Sequence, residues 1–434
     1  MTAQAHIDAI PSRARPFEKT QQPTPALLRK LLGRDLAPSQ EEFSAVLEAL
    51  SVGDPAMDSL VDWMMDHGPR EARALFETAI TEGLAAIPDC PEPLRLFIKS
   101  VERRPAWVDF DLIDEGARFI HSTGMTAPYV LRDLALMGGY LLSGFNQSLV
   151  LTGALNQGAS RRIAETGKWW VDCTEEGGLK RFSAGFRGTL HVRLVHSLVR
   201  RNLASREEWD VAQWGLPLSQ VDMVATYLGF CVVMLGGLRK MGVPVTPRES
   251  RAVMHLWKYA CWLMGVDEKW LVDREQDGIV LLHHTLMTQS QPDWTSQELG
   301  KALAQEPLER HFRRFESLQR KLAYQKHLSV SRYFLSRDKM AQLGLPESVS
   351  AWYPLATLLP RLLSFSGQHY VPGLRQWQQQ RGRNAQRKVL GQMFGDAKQD
   401  LSGQGLECGR NPAQAGTGRS TGCLASGVVP ATGC

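Results

Sequence analysis

Apolar residues recur at helical spacing along nearly the whole chain. Phe43, Val46, Leu47 and Leu50 stand at i, i+3, i+4 and i+7 behind Ser39-Gln-Glu-Glu42, a capping box in which serine and glutamate satisfy each other's backbone amides. Asp54-Pro55 opens a second helix carrying Met57, Leu60, Val61 and Met64, because aspartate accepts from free amides and proline suits the first turn. Thr246-Pro-Arg-Glu249 starts another ahead of Val253, Leu256, Trp257 and Ala260, with Gly265 as its stop, and Thr295-Ser-Gln-Glu298 reads as a fourth cap. Alternating β-branched runs bounded by turn dipeptides are missing, so the pattern predicts an all-α fold with little or no sheet. Helix breaks fall at 88–93, 104–105 and 242–247, none of them a long linker. This predicts a flexible segment 1–23, one large helical domain over 24–398, and a tail, 399–434, in which Gly, Ser, Thr, Ala and Pro dominate and order is not expected.

The stretch 134–155 has no charged residue and is long enough to cross a bilayer, yet it contains four glycines with Asn146 and Gln147, which predicts a buried hairpin or broken helix instead. The whole chain has 434 residues, 43% of them hydrophobic, enough for a large core. A net charge of +5, from 50 basic and 45 acidic residues without a long single-sign run, excludes a nucleic-acid footprint as the organising feature. The seven cysteines are scattered and free of Cys-x-x-Cys spacing, which argues against a zinc knuckle, a covalent haem attachment or a disulfide framework. Cys231 and Cys261 sit in apolar runs and read as buried thiols. The first 22 residues lack the apolar core of a secretory signal, so the expected location is cytoplasmic.

Candidate chemistry is sparse. Arg162, Glu165 and Thr166 stand at i, i+3 and i+4, which would bring a cation, a carboxylate and a hydroxyl to one helix face; the same spacing also describes an ordinary surface ion pair before a helix-end Thr-Gly. In His191-Val-Arg-Leu-Val-His196 the two histidines lie about 140° apart around a helix, so they do not share one metal. Periodicity puts His191 near the centre of the side formed by Val192, Val195, Leu198 and Val199, with His196 near its edge, and so favours His191 as the buried one. His283 and His284 are adjacent and diverge, and His255 reads as structural. The basic segment 310–326, interrupted by Glu316, reads as a solvated amphipathic helix, with a docking helix as the alternative. Phosphate loops, Gly-x-Ser-x-Gly elbows and His-Glu-x-x-His motifs are absent from the sequence, which removes the usual support for nucleotide-binding and hydrolase classes.

Arg162, Thr166, Arg193 and His196, in the settings Glu165-Thr166-Gly167-Lys168-Trp169 and Val192-Arg193-Leu194-Val195-His196, resemble the haem site of the latex-clearing-protein (rubber oxygenase) family, which also takes in fungal oxygenases of the mycophenolic-acid type. The resemblance runs over 105–271 and includes Tyr227-Leu-Gly-Phe230 and Val243-Pro-Val-Thr-Pro247. It implies globin-like helical packing around haem b, with His196 as the iron ligand and Arg162 and Arg193 toward the propionates. It also implies Thr166 and Glu165 on the distal side, where a hydroxyl can hydrogen-bond dioxygen or a water and a carboxylate can carry protons. The apolar runs 134–155 and 223–238 would then wall the substrate. Two departures stand out: Glu165 occupies the position where the family typically has lysine, and 134–155 lacks the glutamate the family places about twenty residues upstream. The expectation is a haem-dependent mono-, di- or peroxygenase. Its partners would be dioxygen or peroxide and a lipophilic substrate, small molecule or polymer, with unsaturated or isoprenoid chains among the candidates. Nucleic acid and an integral membrane span are not expected. The rival expectation is a non-catalytic helical module that binds a hydrophobic ligand or a partner protein.

Overall fold

The computed structural model describes residues 10–153, 159–368, 370–397 and 399, and every regular element among them is a helix. The expected tail beyond 399, with Cys408, Cys423 and Cys434, lies outside the described residues. The helices that build the interior are α1 (Pro55–Asp66), α2 (Phe110–Ser122), α3 (Thr126–Gly139), α4 (Ser143–Leu151), α5 (Ala159–Cys173), α6 (Ala184–Ala204), α7 (Gln220–Lys240), α8 (Pro247–Leu263), α9 (Glu275–Leu286), α10 (Trp294–Gln305), α11 (Glu316–Phe334) and α12 (Leu374–Phe394). They form a single helical domain.

Helix α8 is the spine. It begins at the capping box of Thr246 and Glu249, and its buried residues run from Glu249 to Leu263, with Trp257 fully enclosed against Phe230 and Trp169. Its buried charges are paired, Glu249 with Arg375 at 3.0 Å and Lys258 with Asp273 at 2.7 Å. Helix α2 packs along it, and the approach is close enough that a Cβ on Gly116 would lie 2.6 Å from the Ala252 carbonyl oxygen. Helix α12 crosses α2 on another side, where Gly382 faces the His121 carbonyl just as tightly, and α12 also packs on α5.

The sequence-derived starts at Ser39 and Asp54 appear as capping groups with the expected bonds to Glu42 N and Met57 N. The fourth is corrected: the helix begins at Trp294, capped by Asp293 with Ser296 in return, so Thr295 and Glu298 already lie inside it. The segment before residue 24 also differs from expectation from Ile10 onward. Arg13 is buried and its guanidinium contacts both Asp222 carboxylate oxygens at 3.0 and 3.2 Å, a pairing that ties the start of the chain to α7. The uncharged stretch is indeed a broken helix, α3 and α4 meeting at 95°. Asn146 is fully buried at the break and its amide donates to the Tyr140 carbonyl at 2.8 Å, satisfying an oxygen that the interrupted helix leaves free. Helix α7 is long and apolar enough to cross a bilayer, but 67% of that stretch is buried inside the protein. Cys173, Cys231 and Cys261 are buried free thiols.

Both α3 and α7 contain a π turn, at Leu131–Leu136 and Gly229–Val233, and the two turns pack on each other. Such insertions widen a helix locally and recur at functional sites.

The α2–α8 approach predicts that Gly116→Ala lowers stability by about 1–3 kcal/mol, because the helices have to part. Gly236→Ala, where nothing lies within 4 Å of the added carbon, is expected to be neutral or mildly stabilising. Urea unfolding of the two variants decides it.

Candidate functional site

The π turns face a cavity of about 670 Å³, within the range of small-molecule sites. Leu131, Leu134 and Ala135 of α3 and Gly229, Phe230 and Val233 of α7 form much of its wall. Helix α9 adds Leu282 and Leu286, and α12 closes it with Leu390 and Met393. Helix α5 contributes Arg162, Thr166, Gly167 and Trp170. The wall is therefore mostly hydrocarbon, with a few polar groups at fixed places.

Of the residues expected on one face of α5, two reach the cavity. Thr166 is exposed to it and its hydroxyl donates to the Arg162 carbonyl at 3.0 Å. Arg162 donates through Nη2 to the Tyr140 hydroxyl at 2.8 Å, and its Nη1 is buried without a hydrogen-bond partner. Glu165 does not join them. It accepts from Arg161 Nε at 2.7 Å and is not among the cavity-lining residues, since three positions along a helix leave it about 60° off the Arg162 direction, within reach of Arg161.

Arg193 is held elsewhere. It is buried with Nε and Nη2 on the two Asp54 oxygens at 2.5 and 2.8 Å and Nη1 on the Leu263 carbonyl at 3.1 Å. Three of its N–H donors thus join α6, the N-terminus of α1 and the C-terminus of α8.

The two histidines of α6 part company. His191 Nε2 lies 2.9 Å from Glu77 Oε2, with its ring edge-on to Phe76. His196 is half-buried, and its Nδ1 is enclosed without a partner. Burial, and then the nearby Arg200, lower its imidazole to about 4 while Asp54 opposes them, so the ring is neutral through the physiological range. His196 is not among the residues that line the cavity. His255 accepts from the Asp109 amide at 3.0 Å and His284 Nε2 lies 2.9 Å from the Leu36 carbonyl, both structural as expected. No cluster of metal-ligating side chains occurs among the described residues.

A buried ionic group on the wall was not foreseen. Arg132, Arg310 and His327 line the cavity, and with Asp133 and Glu306 they form one network. Arg310 grips both Glu306 oxygens at 2.7 and 2.8 Å, and Arg132 reaches Glu306 at 3.1 Å and Asp133 at 2.5 Å. Burial pushes the Glu306 carboxyl up, but the two guanidiniums outweigh that and hold it at about 2. The segment expected to be one solvated basic helix is thus divided: Arg310 is interior, and α11 starts only at Glu316. The sequence signals were Arg132-Asp133 at the edge of the uncharged run and Glu306 four residues before Arg310.

Residues 124–364 match the family described as ER-bound oxygenase mpaB/B′/rubber oxygenase, catalytic domain, over more than half of the chain. The chain belongs to this family. Among relatives, the rubber oxygenase of Streptomyces sp. (strain K30) is 24% identical over 225 residues, 51% of this chain and 54% of that protein, so the chain spans about half the length of this curated relative. The fold is that of the latex clearing protein LCP in its closed state, with a TM-score of 0.60 and 21% identity over 79% of this chain and 91% of the other. The family region contains both π turns, Arg162, Thr166 and His196, whereas α12 with Leu390 and Met393 lies beyond it.

Arg193→Met is expected to cost about 3–5 kcal/mol of unfolding free energy by leaving Asp54 buried and unpaired, with partial recovery in Arg193→Met/Asp54→Asn. Denaturant unfolding checks both; a loss within experimental error would return Arg193 to the cofactor.

Proposed function

We propose that the chain is a haem-b-dependent oxygenase that acts on a lipophilic substrate held in the cavity, with His196 as the residue that would hold the iron. The observation that carries this is the His196 ring itself, deep in a family oxygenase domain, neutral, and with an enclosed nitrogen that has no protein partner. An unsatisfied buried polar atom costs about 1–3 kcal/mol, and iron ligation is the use of a neutral imidazole that the family context supports.

The remaining residues fit a haem in part. Arg162 offers an uncommitted Nη1 at the cavity wall, a cation for a propionate, and Thr166 offers a hydroxyl four residues along the same face. Arg193 and Glu165 take no part, being committed to Asp54 and Arg161. Because His196 stands outside the present lining, its role is tested separately from that of Thr166.

When bound, haem supplies the activation of dioxygen or peroxide. What the chain contributes is access and orientation. The hydrocarbon walls from α3, α7 and α12 exclude water and favour an extended apolar chain, the class of substrate that the relative's name, rubber oxygenase, supports. Thr166 accepts a hydrogen bond as it stands and donates one after rotation away from the Arg162 carbonyl.

The test is the visible spectrum of protein expressed with ample haem precursor. The wild type and Thr166→Ala should show a Soret band and His196→Ala should lack it. Turnover of a polyisoprenoid oligomer by Thr166→Ala should fall on the order of 10²-fold. A Soret band retained in His196→Ala removes the ligand assignment, and none in the wild type removes the haem reading altogether and favours a non-catalytic binder of hydrophobic ligands.

A further inference from the structure

Asp133 has no exposed surface and sits in the π turn of α3. His327 of α11 approaches it with Nδ1 2.7 Å from Oδ2, while Oδ1 accepts from Arg132 at 2.5 Å. The other imidazole nitrogen, Nε2, is buried without a hydrogen-bond partner, and the ring belongs to the cavity wall. Tyr129 lies edge-on to it at 5.0 Å between centroids. A carboxylate holding one imidazole nitrogen while the other is left free is the arrangement that fixes a tautomer and prepares the free nitrogen for proton exchange.

We propose that Asp133 and His327 form a proton relay serving the cavity, His327 Nε2 exchanging a proton with the group bound there and Asp133 taking up the proton displaced from Nδ1. This rests on reading the cavity as the reaction chamber. With Asp133 ionised, Nδ1–H donates to Oδ2 and Nε2 carries a lone pair. When Nε2 takes a proton from an acid in the cavity, the Nδ1 proton passes to Oδ2. One proton has moved, the negative charge has passed from Asp133 to the group that lost the proton, and the imidazole is neutral before and after. The reverse sequence delivers a proton, and neither direction needs an oxidant or reductant.

The surroundings favour this over an imidazolium. Burial, then Arg132 and Arg310, hold the His327 ring well below its usual value, against the pull of Glu306 and with Lys326 of the same helix acting in the lowering direction. Burial pushes the Asp133 carboxyl up to about 7 against the pull of Arg132 and Arg310. The Tyr129 phenol, which burial raises, stays protonated. The carboxyl is thus the group of this cluster that changes charge near neutrality. Glu306 differs because two guanidiniums saturate it.

The experiment is infrared titration of the full-length protein from pH 5.5 to 8.5, with carbon-13 aspartate to identify the carboxylic-acid band. The band should disappear with a midpoint of about 7 and be missing in Asp133→Asn. In His327→Phe, which removes the donor to the carboxylate, the band should persist about one pH unit higher. Saturating 4-tert-butylphenol, donating to Nε2, requires the Nδ1–H tautomer and so favours ionised Asp133; it should lower the wild-type midpoint by about half a pH unit, whereas 4-tert-butyltoluene should not. An aspartate band that does not titrate, or a midpoint that the phenol and the toluene move equally, overturns the relay. The labelled wild-type titration decides the matter even if a variant fails to fold. It needs neither haem nor turnover, so a missing Soret band with a titrating carboxyl would sink the oxygenase proposal alone, and the converse result the relay alone.

Discussion

Charge inside an all-helical core has to be paired, and here the pairs fix where the helices stand. Arg132 joins α3 to Glu306 and to the Leu303 carbonyl of α10. Arg193 joins α6 to the cap of α1 and the end of α8. Arg383 joins α12 to α5, reaching the Val171 carbonyl and, just past the helix end, Thr174 and Glu175. Removing one member of such a pair leaves an uncompensated buried charge, which is far costlier than losing a surface bridge, so each clamp resists small displacements of its helices.

The cavity lies among helices held in this way. Its apolar lining has few polar contacts of its own to keep it open, and a well-packed interior tends to close on empty space. The π turns of α3 and α7 widen the helices where they meet, and the neighbouring clamps hold α3, α5 and α12 in place around them. Arg162 Nη1 and His327 Nε2, of residues on the cavity wall, and His196 Nδ1 are among the buried polar atoms without a partner.

Much of the fold could be read from local chemistry. Ser39, Asp54 and Thr246 cap helices because short side-chain oxygens next to apolar periodicity have few other uses. The break in the uncharged stretch was foreseen from its glycines and Asn146. Periodicity failed where the deciding fact was a partner distant in sequence. It placed His191 near the centre of an apolar face, but Glu77, 114 positions earlier, claims that ring. It grouped Glu165 with Arg162, but Arg161 next door is the better partner. It read Arg310 as solvated, although Glu306 one turn before it supplies a charge with which to be buried. The family resemblance singled out Arg162, Thr166, Arg193 and His196, yet could not show that Arg193 bonds Asp54, since that bond joins two regions 139 residues apart.

The central claim is that His196 holds the haem, and its most direct measurement is replacement of the ring by a free one. His196→Gly, purified with and without imidazole, should bind haem only when imidazole is present, with an iron–imidazole stretch in the ferrous resonance Raman spectrum that shifts on nitrogen-15 labelling of the added imidazole. Haem held equally well without imidazole, or a spectrum that the label leaves unchanged, would contradict the account.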